Sequence, residues 1–137
     1  MSGITLGIDP GTRKAGFAAI DGSGNVVAQG IEPPETLLER LQLLARERSI
    51  DVIALGHGTN SKPVRIDLAE LGVPIHLVDE RETTLRARAL YFLDHPPRGW
   101  RRLIPLGMQL PPRPIDDYAA ILIARRYLRE GPSNGTS

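Results

Sequence analysis

The sequence predicts an α/β domain whose core is a central five-stranded mixed sheet, three strands antiparallel and then parallel, flanked by helices. Three observations carry that expectation. The chain opens with three short apolar segments separated by turn signals, as in an antiparallel meander. Helical patterns then alternate with short apolar strands, which implies parallel pairing. The chain has 137 residues, 41% hydrophobic and 24% charged. That is enough for one domain with a real core.

Each element has its own signal. In the first strand Ile4, Leu6 and Ile8 alternate with Thr5, Gly7 and Asp9, so the two sets face opposite ways. Asp9 ends this strand at the Pro10-Gly11 turn. A second strand covers Ala15 to Ile20, followed by the hairpin turn Asp21-Gly22-Ser23-Gly24-Asn25. A third strand, Val26 to Ile31, stops before Pro33-Pro34. The next helix runs to about Arg48, with Leu37, Leu38, Leu41, Leu44 and Ala45 on one face. Asp51 to Leu55 reads as a buried strand, with the polar loop Gly56-His57-Gly58-Thr59-Asn60-Ser61 at its end. Pro63 opens a helix to about Leu71, which Gly72-Val73-Pro74 breaks. Ile75 to Val78 is the fifth strand, with Asp79-Glu80 at its tip. A helix from Thr83 or Thr84 to Phe92 precedes a segment, 94–114, too long for a plain connector. The last helix is Ile115 to Arg129. A single domain is thus expected over 1–130, with 131–137 as a disordered C-terminal tail.

Composition narrows the chemistry. The chain has no cysteine, so disulfides and thiolate metal sites are excluded. No apolar run is long enough to span a bilayer, and Met1-Ser2-Gly3 leads straight into a strand without a signal-peptide pattern. A cytoplasmic location with no membrane partner is the expectation. Net charge is +1, but unevenly spread. Residues 1–80 carry 7 Lys and Arg against 11 Asp and Glu, while 81–129 carry 10 Arg against 4 acids. An arginine-rich half in a near-neutral chain suits one face that meets phosphates, although solvated helix surface would look the same.

Three acidic positions stand out: Asp9, the Asp79-Glu80 pair and the Asp116-Asp117 pair. Each has a plain structural alternative. Asp9 could stabilise its own turn. Glu80 and its neighbour could pair with Arg81, and Asp116-Asp117 could serve the helix N-terminus. Together, strand-tip and helix-start carboxylates could meet at one end of the sheet. Clustered carboxylates need a cation, and hard oxygen donors suit Mg²⁺ or Mn²⁺. Two such ions about 3.5–4 Å apart can serve phosphodiester cleavage. No covalent-nucleophile motif is present. His57 lies on a strand tip, where a backbone-bonded loop histidine is favoured over a catalytic base. His76 reads as structural, and the role of His95 is left open.

The motifs resemble a known family. Gly7-Ile8-Asp9-Pro10-Gly11-Thr12 with Gly16 resembles the first motif of the RuvC-like branch of the ribonuclease H-like fold. Val78-Asp79-Glu80-Arg81-Glu82-Thr83-Thr84 resembles the Asp-Glu-Arg-x-Thr-Thr signature of the YqgF (RuvX) family. Ile115-Asp116-Asp117-Tyr118-Ala119-Ala120 resembles that family's last motif. The resemblance covers nearly the whole chain in the right order. It implies a metal-dependent nuclease acting on precursor ribosomal RNA or on Holliday-junction-like DNA. Carried over by position, Asp9, Glu80 and Asp116 are the catalytic, metal-holding acids and Asp117 is a reserve ligand. One departure is the loop after the fourth strand, Gly56-His57-Gly58-Thr59-Asn60-Ser61, where the family has a Gly-Leu-Pro stretch and an Asn-Met-Asp-Gly-like loop. The segment 94–114 is unusual too.

For an anionic partner, Thr12, Arg13 and Lys14 offer donors from the first turn, and Lys62 lies beyond the fourth strand. Arg81, Arg86 and Arg88 follow the second acid, and Arg98, Arg101 and Arg102 surround Trp100. Such cations would hold RNA or single-stranded or branched DNA by its phosphates without reading sequence. Trp100 could stack on an unpaired base, plug the core or meet a second copy. A homodimer is a candidate assembly, since junction cutters need two sites. Two rivals stand beside the nuclease. The Asp9-x-Gly11-Thr12 turn also resembles the first phosphate loop of the actin and hexokinase superfamily, which needs two lobes. A nucleic-acid- or protein-interaction module with the same fold and no turnover is the other.

Overall fold

The computed structural model describes residues 3–57, 61–79, 83–97, 99, 103, 111 and 114–131. Among them the chain forms one five-stranded sheet in the order β3-β2-β1-β4-β5. Strands β1 (Ile4–Asp9), β2 (Ala15–Ile20) and β3 (Val26–Glu32) form the antiparallel meander. On the other side of β1, β4 (Ile50–Gly56) and β5 (Ile75–Val78) pair in parallel. The mixed α/β sheet expected from the sequence is the one observed.

Helices α1 (Pro34–Glu47), α2 (Ser61–Leu68), α3 (Thr83–Asp94) and α4 (Asp116–Glu130) complete the domain, with a short 3₁₀ turn at Ala69–Leu71. Element ends move by one or two residues from the sequence reading. Helix α2 begins at Ser61, two residues before Pro63, whose missing N–H costs nothing inside a first helical turn. Strand β4 is longer at both ends, because Ile50 pairs with Ile4 and Gly56 with Val78. Helix α4 starts at Asp116 because Ile115 has non-helical backbone angles. The expected tail falls almost wholly outside the described residues.

The strand alternation read from the sequence builds three layers. Ile4, Leu6 and Ile8 face α1 and α2, in one cluster with Phe17, Ile53, Leu55, Leu37, Leu41, Leu44, Val64 and Leu68. Burying each such side chain is worth about 1.5–3 kcal/mol. The other face is covered by α4, with α3 packed outside it. There Ala18 joins Ala87, Tyr91, Phe92, Tyr118 and Ala120, while Ala54 and Val78 meet Ile123. Tyr118 donates its hydroxyl proton to Asp94 Oδ2 at 2.8 Å, tying α4 to the end of α3. No helix among the described residues is long and apolar enough to cross a membrane.

Candidate active site

Because β1, β4 and β5 are parallel, their C-terminal tips lie on one edge of the sheet. The antiparallel β2 starts at that edge. Asp9, His57 and Asp79 therefore share it, and α2 and α3 begin from it. Ligands of open α/β sheets bind at such a carboxyl edge, where the chain departs to opposite sides.

Two glycines bring α4 to the same place. Gly7 and Asp9 are two residues apart, so they share a face of β1. A side chain at Gly7 would collide with the Ala120 carbonyl and crowd Ala124, so this is the α4 face. Asp9 is registered directly opposite Gly16 of β2. A side chain at Gly16 would collide with the backbone of Asp116. The first residue of α4 therefore rests on the strand position that neighbours Asp9. The backbone of Asp116 and the strand end at Asp9 therefore both adjoin one bare glycine.

The two acids of α4 have different surroundings. Neither is the helix cap: Ile115 is, without a side-chain cap bond. The Asp116 side chain is 30% exposed, and its Oδ2 lies 3.7 Å from Lys14 Nζ. Burial pushes the Asp116 carboxyl above the ordinary carboxylate range; Asp117 adds to the push and Lys14 opposes it. Asp117 is buried, 4% exposed. Its Oδ2 accepts a hydrogen bond from Gln29 Nε2 at 2.8 Å, and its Oδ1 accepts one from the Tyr118 N–H at 3.1 Å. Asp116 faces the edge, and Asp117 is turned into the fold.

The tip of β5 is held from two sides. Arg126 Nη1 donates to the Asp79 carbonyl at 2.9 Å, and the His57 N–H donates to the Val78 carbonyl at 2.9 Å. Glu80 follows this anchored residue but lies outside the described residues, as do Arg81, Arg98, Trp100, Arg101 and Arg102. Among the described residues no three His, Cys, Asp or Glu side chains gather in a metal-binding group. The described part of the candidate site holds Asp9 and Asp116, with the candidate third acid next in sequence to an anchored strand tip. Their hard oxygens fit Mg²⁺ or Mn²⁺, and the burial that raises the Asp116 carboxyl is what a bound cation would offset.

Several of the residues expected to meet phosphates are exposed on segments that adjoin this edge. Thr12 and Arg13 are exposed in the β1–β2 turn, Lys62 in the first turn of α2, and Arg86 near the start of α3. His57 is exposed as well. His76 is structural, its ring stacked on Tyr127 at 5.4 Å between centroids. His95 is too: it stacks on Tyr91, and its Nδ1 lies 3.3 Å from the Tyr91 carbonyl. Gln29 and Arg126 are site supports that the sequence reading missed. Gln29 had one signal, a polar residue on the inward face of a strand, and Arg126 had none.

No family model matches the chain. Sequence similarity is decisive instead. A protein of Pelotomaculum thermopropionicum named "Putative pre-16S rRNA nuclease" is 32% identical over 141 residues, covering 90% of this chain and 84% of its own. The chain belongs to the YqgF family. An Azotobacter vinelandii relative with the same name is 29% identical, over 97% of this chain and 99% of its own. Among solved structures, Thermus thermophilus RuvC superposes with a TM-score of 0.52 at 18% identity, covering 93% of this chain and 96% of RuvC. This YqgF chain therefore has the RuvC-like, ribonuclease H-like fold that its motifs resemble.

Proposed function

We propose that this chain is a divalent-metal-dependent nuclease that hydrolyses phosphodiester bonds in structured nucleic acid, with precursor 16S ribosomal RNA as its leading substrate. One observation carries the reading: the start of α4 at Asp116 packs on Gly16, the position opposite Asp9, at the carboxyl edge of the parallel strands. The names of the two YqgF relatives support nuclease chemistry and the RNA substrate.

In this reading Asp9, Glu80 and Asp116 hold Mg²⁺ or Mn²⁺. Two bound ions would supply Lewis acidity to the entering and the leaving oxygen of the phosphodiester. The chain's own residues do the rest. Asp117 keeps the start of α4 in place through Gln29, so its role is support, with ligation in reserve. Arg126 fixes Asp79 and thereby the approach of Glu80. Thr12, Arg13, Lys14, Lys62 and Arg86 orient the backbone phosphates in this reading, and Arg81, Arg98, Arg101 and Arg102 would add to them, with Trp100 as a base-stacking residue.

The test is cleavage of labelled substrates with Mg²⁺ or Mn²⁺: a precursor 16S fragment, single-stranded DNA and a four-way junction. Metal-dependent products from the RNA, abolished by Asp9→Asn, are the expected result. Salt-sensitive binding without products on all three would replace the nuclease by the interaction module.

A further inference from the structure

Lys14 occupies a position that general phosphate binding does not require. Its Nζ is 3.7 Å from Asp116 Oδ2, on an acid proposed to hold metal. Backbone packing on both sides fixes its root. A side chain at Gly11 would collide with the Lys14 carbonyl, and one at Gly16 would collide with Asp116. The turn is thus closed tightly before Lys14 and seated on α4 after it. Yet the Lys14 side chain is 44% exposed, so a phosphate can reach the ammonium from solvent. A lysine suits such sharing better than an arginine, because it is a compact point charge on a flexible stem rather than a planar fork.

Two competitions follow. The ammonium and a divalent cation seek the same Asp116 oxygens, and a phosphate seeks the same ammonium. We propose that Lys14 couples nucleic-acid binding to metal binding at Asp116. Without a phosphodiester at the edge, the ammonium pairs with Asp116 and weakens its hold on a divalent ion. A phosphodiester draws the ammonium away and leaves the carboxylate to the metal. The coupling is reciprocal, so bound metal also releases Lys14 for the phosphate. The inference rests on the metal-nuclease reading above and adds an order to it: substrate and metal bind better together than apart.

The test is Mn²⁺ binding to the full chain, read from the spin-resonance signal of the free ion. It is run with and without a short 2′-O-methyl oligonucleotide as phosphodiester probe, corrected for Mn²⁺ taken up by the oligonucleotide alone. Without oligonucleotide, Lys14→Met is expected to bind Mn²⁺ about threefold to tenfold more tightly than wild type, as fits one screened unit charge beside a divalent ion. The oligonucleotide should tighten Mn²⁺ binding in wild type, less in Lys14→Arg, and not in Lys14→Met. Unchanged or weaker Mn²⁺ binding in Lys14→Met overturns the coupling. Asp116→Asn separates this from the underlying reading: wild-type Mn²⁺ affinity in that variant overturns the metal site itself, whatever Lys14 does.

Discussion

Leu6 and Ile8 of β1 point at α1 and α2, while Gly7, between them, meets α4, and Asp9 shares its face. On the first face large aliphatic side chains fill the space between sheet and helices. On the second, Gly7, Gly16, Ala18 and Ala54 keep the sheet surface bare, and the α4 backbone settles directly onto it. The first face supplies burial. The second gives up side-chain volume, and in return sets the start of a helix beside a strand tip. That close approach seats Asp116 on the position opposite Asp9, 107 positions away in sequence. In the proposed function stability and chemistry fall on opposite faces of one sheet, and the division can be broken from either side.

The largest effect belongs to the carboxylates. Asp9→Asn should lower metal-dependent cleavage by about a thousandfold or more, the scale of losing several kcal/mol of charge stabilisation. Its thermal midpoint should stay within a few degrees of wild type. Next comes the aliphatic face. Leu6→Ala should cost about 2–5 kcal/mol of stability by leaving a cavity. At about 3–5 °C per kcal/mol for a chain of this size, calorimetry will show it plainly. Cleavage per folded molecule should be retained at low temperature. Gly16→Ala inverts that pattern. Overpacking should cost about 1–3 kcal/mol, but cleavage should fall even where the protein is folded, because α4 must lift away from Asp9.

Gln29→Leu should cost about 1–3 kcal/mol, since it leaves the buried Asp117 carboxylate without one of its donors. The smallest effect concerns Asp116 alone. Its folded-state pKa is raised above the ordinary 3.8, so the folded chain binds that proton more readily than the unfolded chain. Ionisation above the raised value therefore costs stability, and stability is regained as pH falls through it. Asp116→Asn should melt slightly higher than wild type at neutral pH, and the gap should close as pH falls towards 3.8. A variant that is inactive and more stable is the mark of a functional acid.

Much of this was legible in the sequence, for physical reasons. Period-two alternation in residues 4–9 separates the faces, and the Pro10-Gly11 and Asp21–Asn25 turns separate the strands. Asp9 at a strand end and Asp116 after Pro114 are local signals, as is the Asp79-Glu80 tip. What sequence could not supply was distance. That Gly16 is the floor under Asp116 depends on the register of β1 with β2 and on how closely α4 packs. That Asp117 turns inward depends on Gln29, 88 positions away, and Arg126 reaches Asp79 across 47. Such partners are chosen by packing, which leaves no motif in the chain.

The central claim is that metal collects at the carboxyl edge of the sheet, on the α4 face. Paramagnetic broadening of amide signals by substoichiometric Mn²⁺ tests it most directly. The account predicts that signals of Gly11, Gly16, His57, Asp79 and Asp117 broaden first, while those of Gly24 and Leu128, at the far end of β2 and α4, stay sharp. Selective broadening around Gly24 and Leu128, or uniform broadening across the chain, would contradict it.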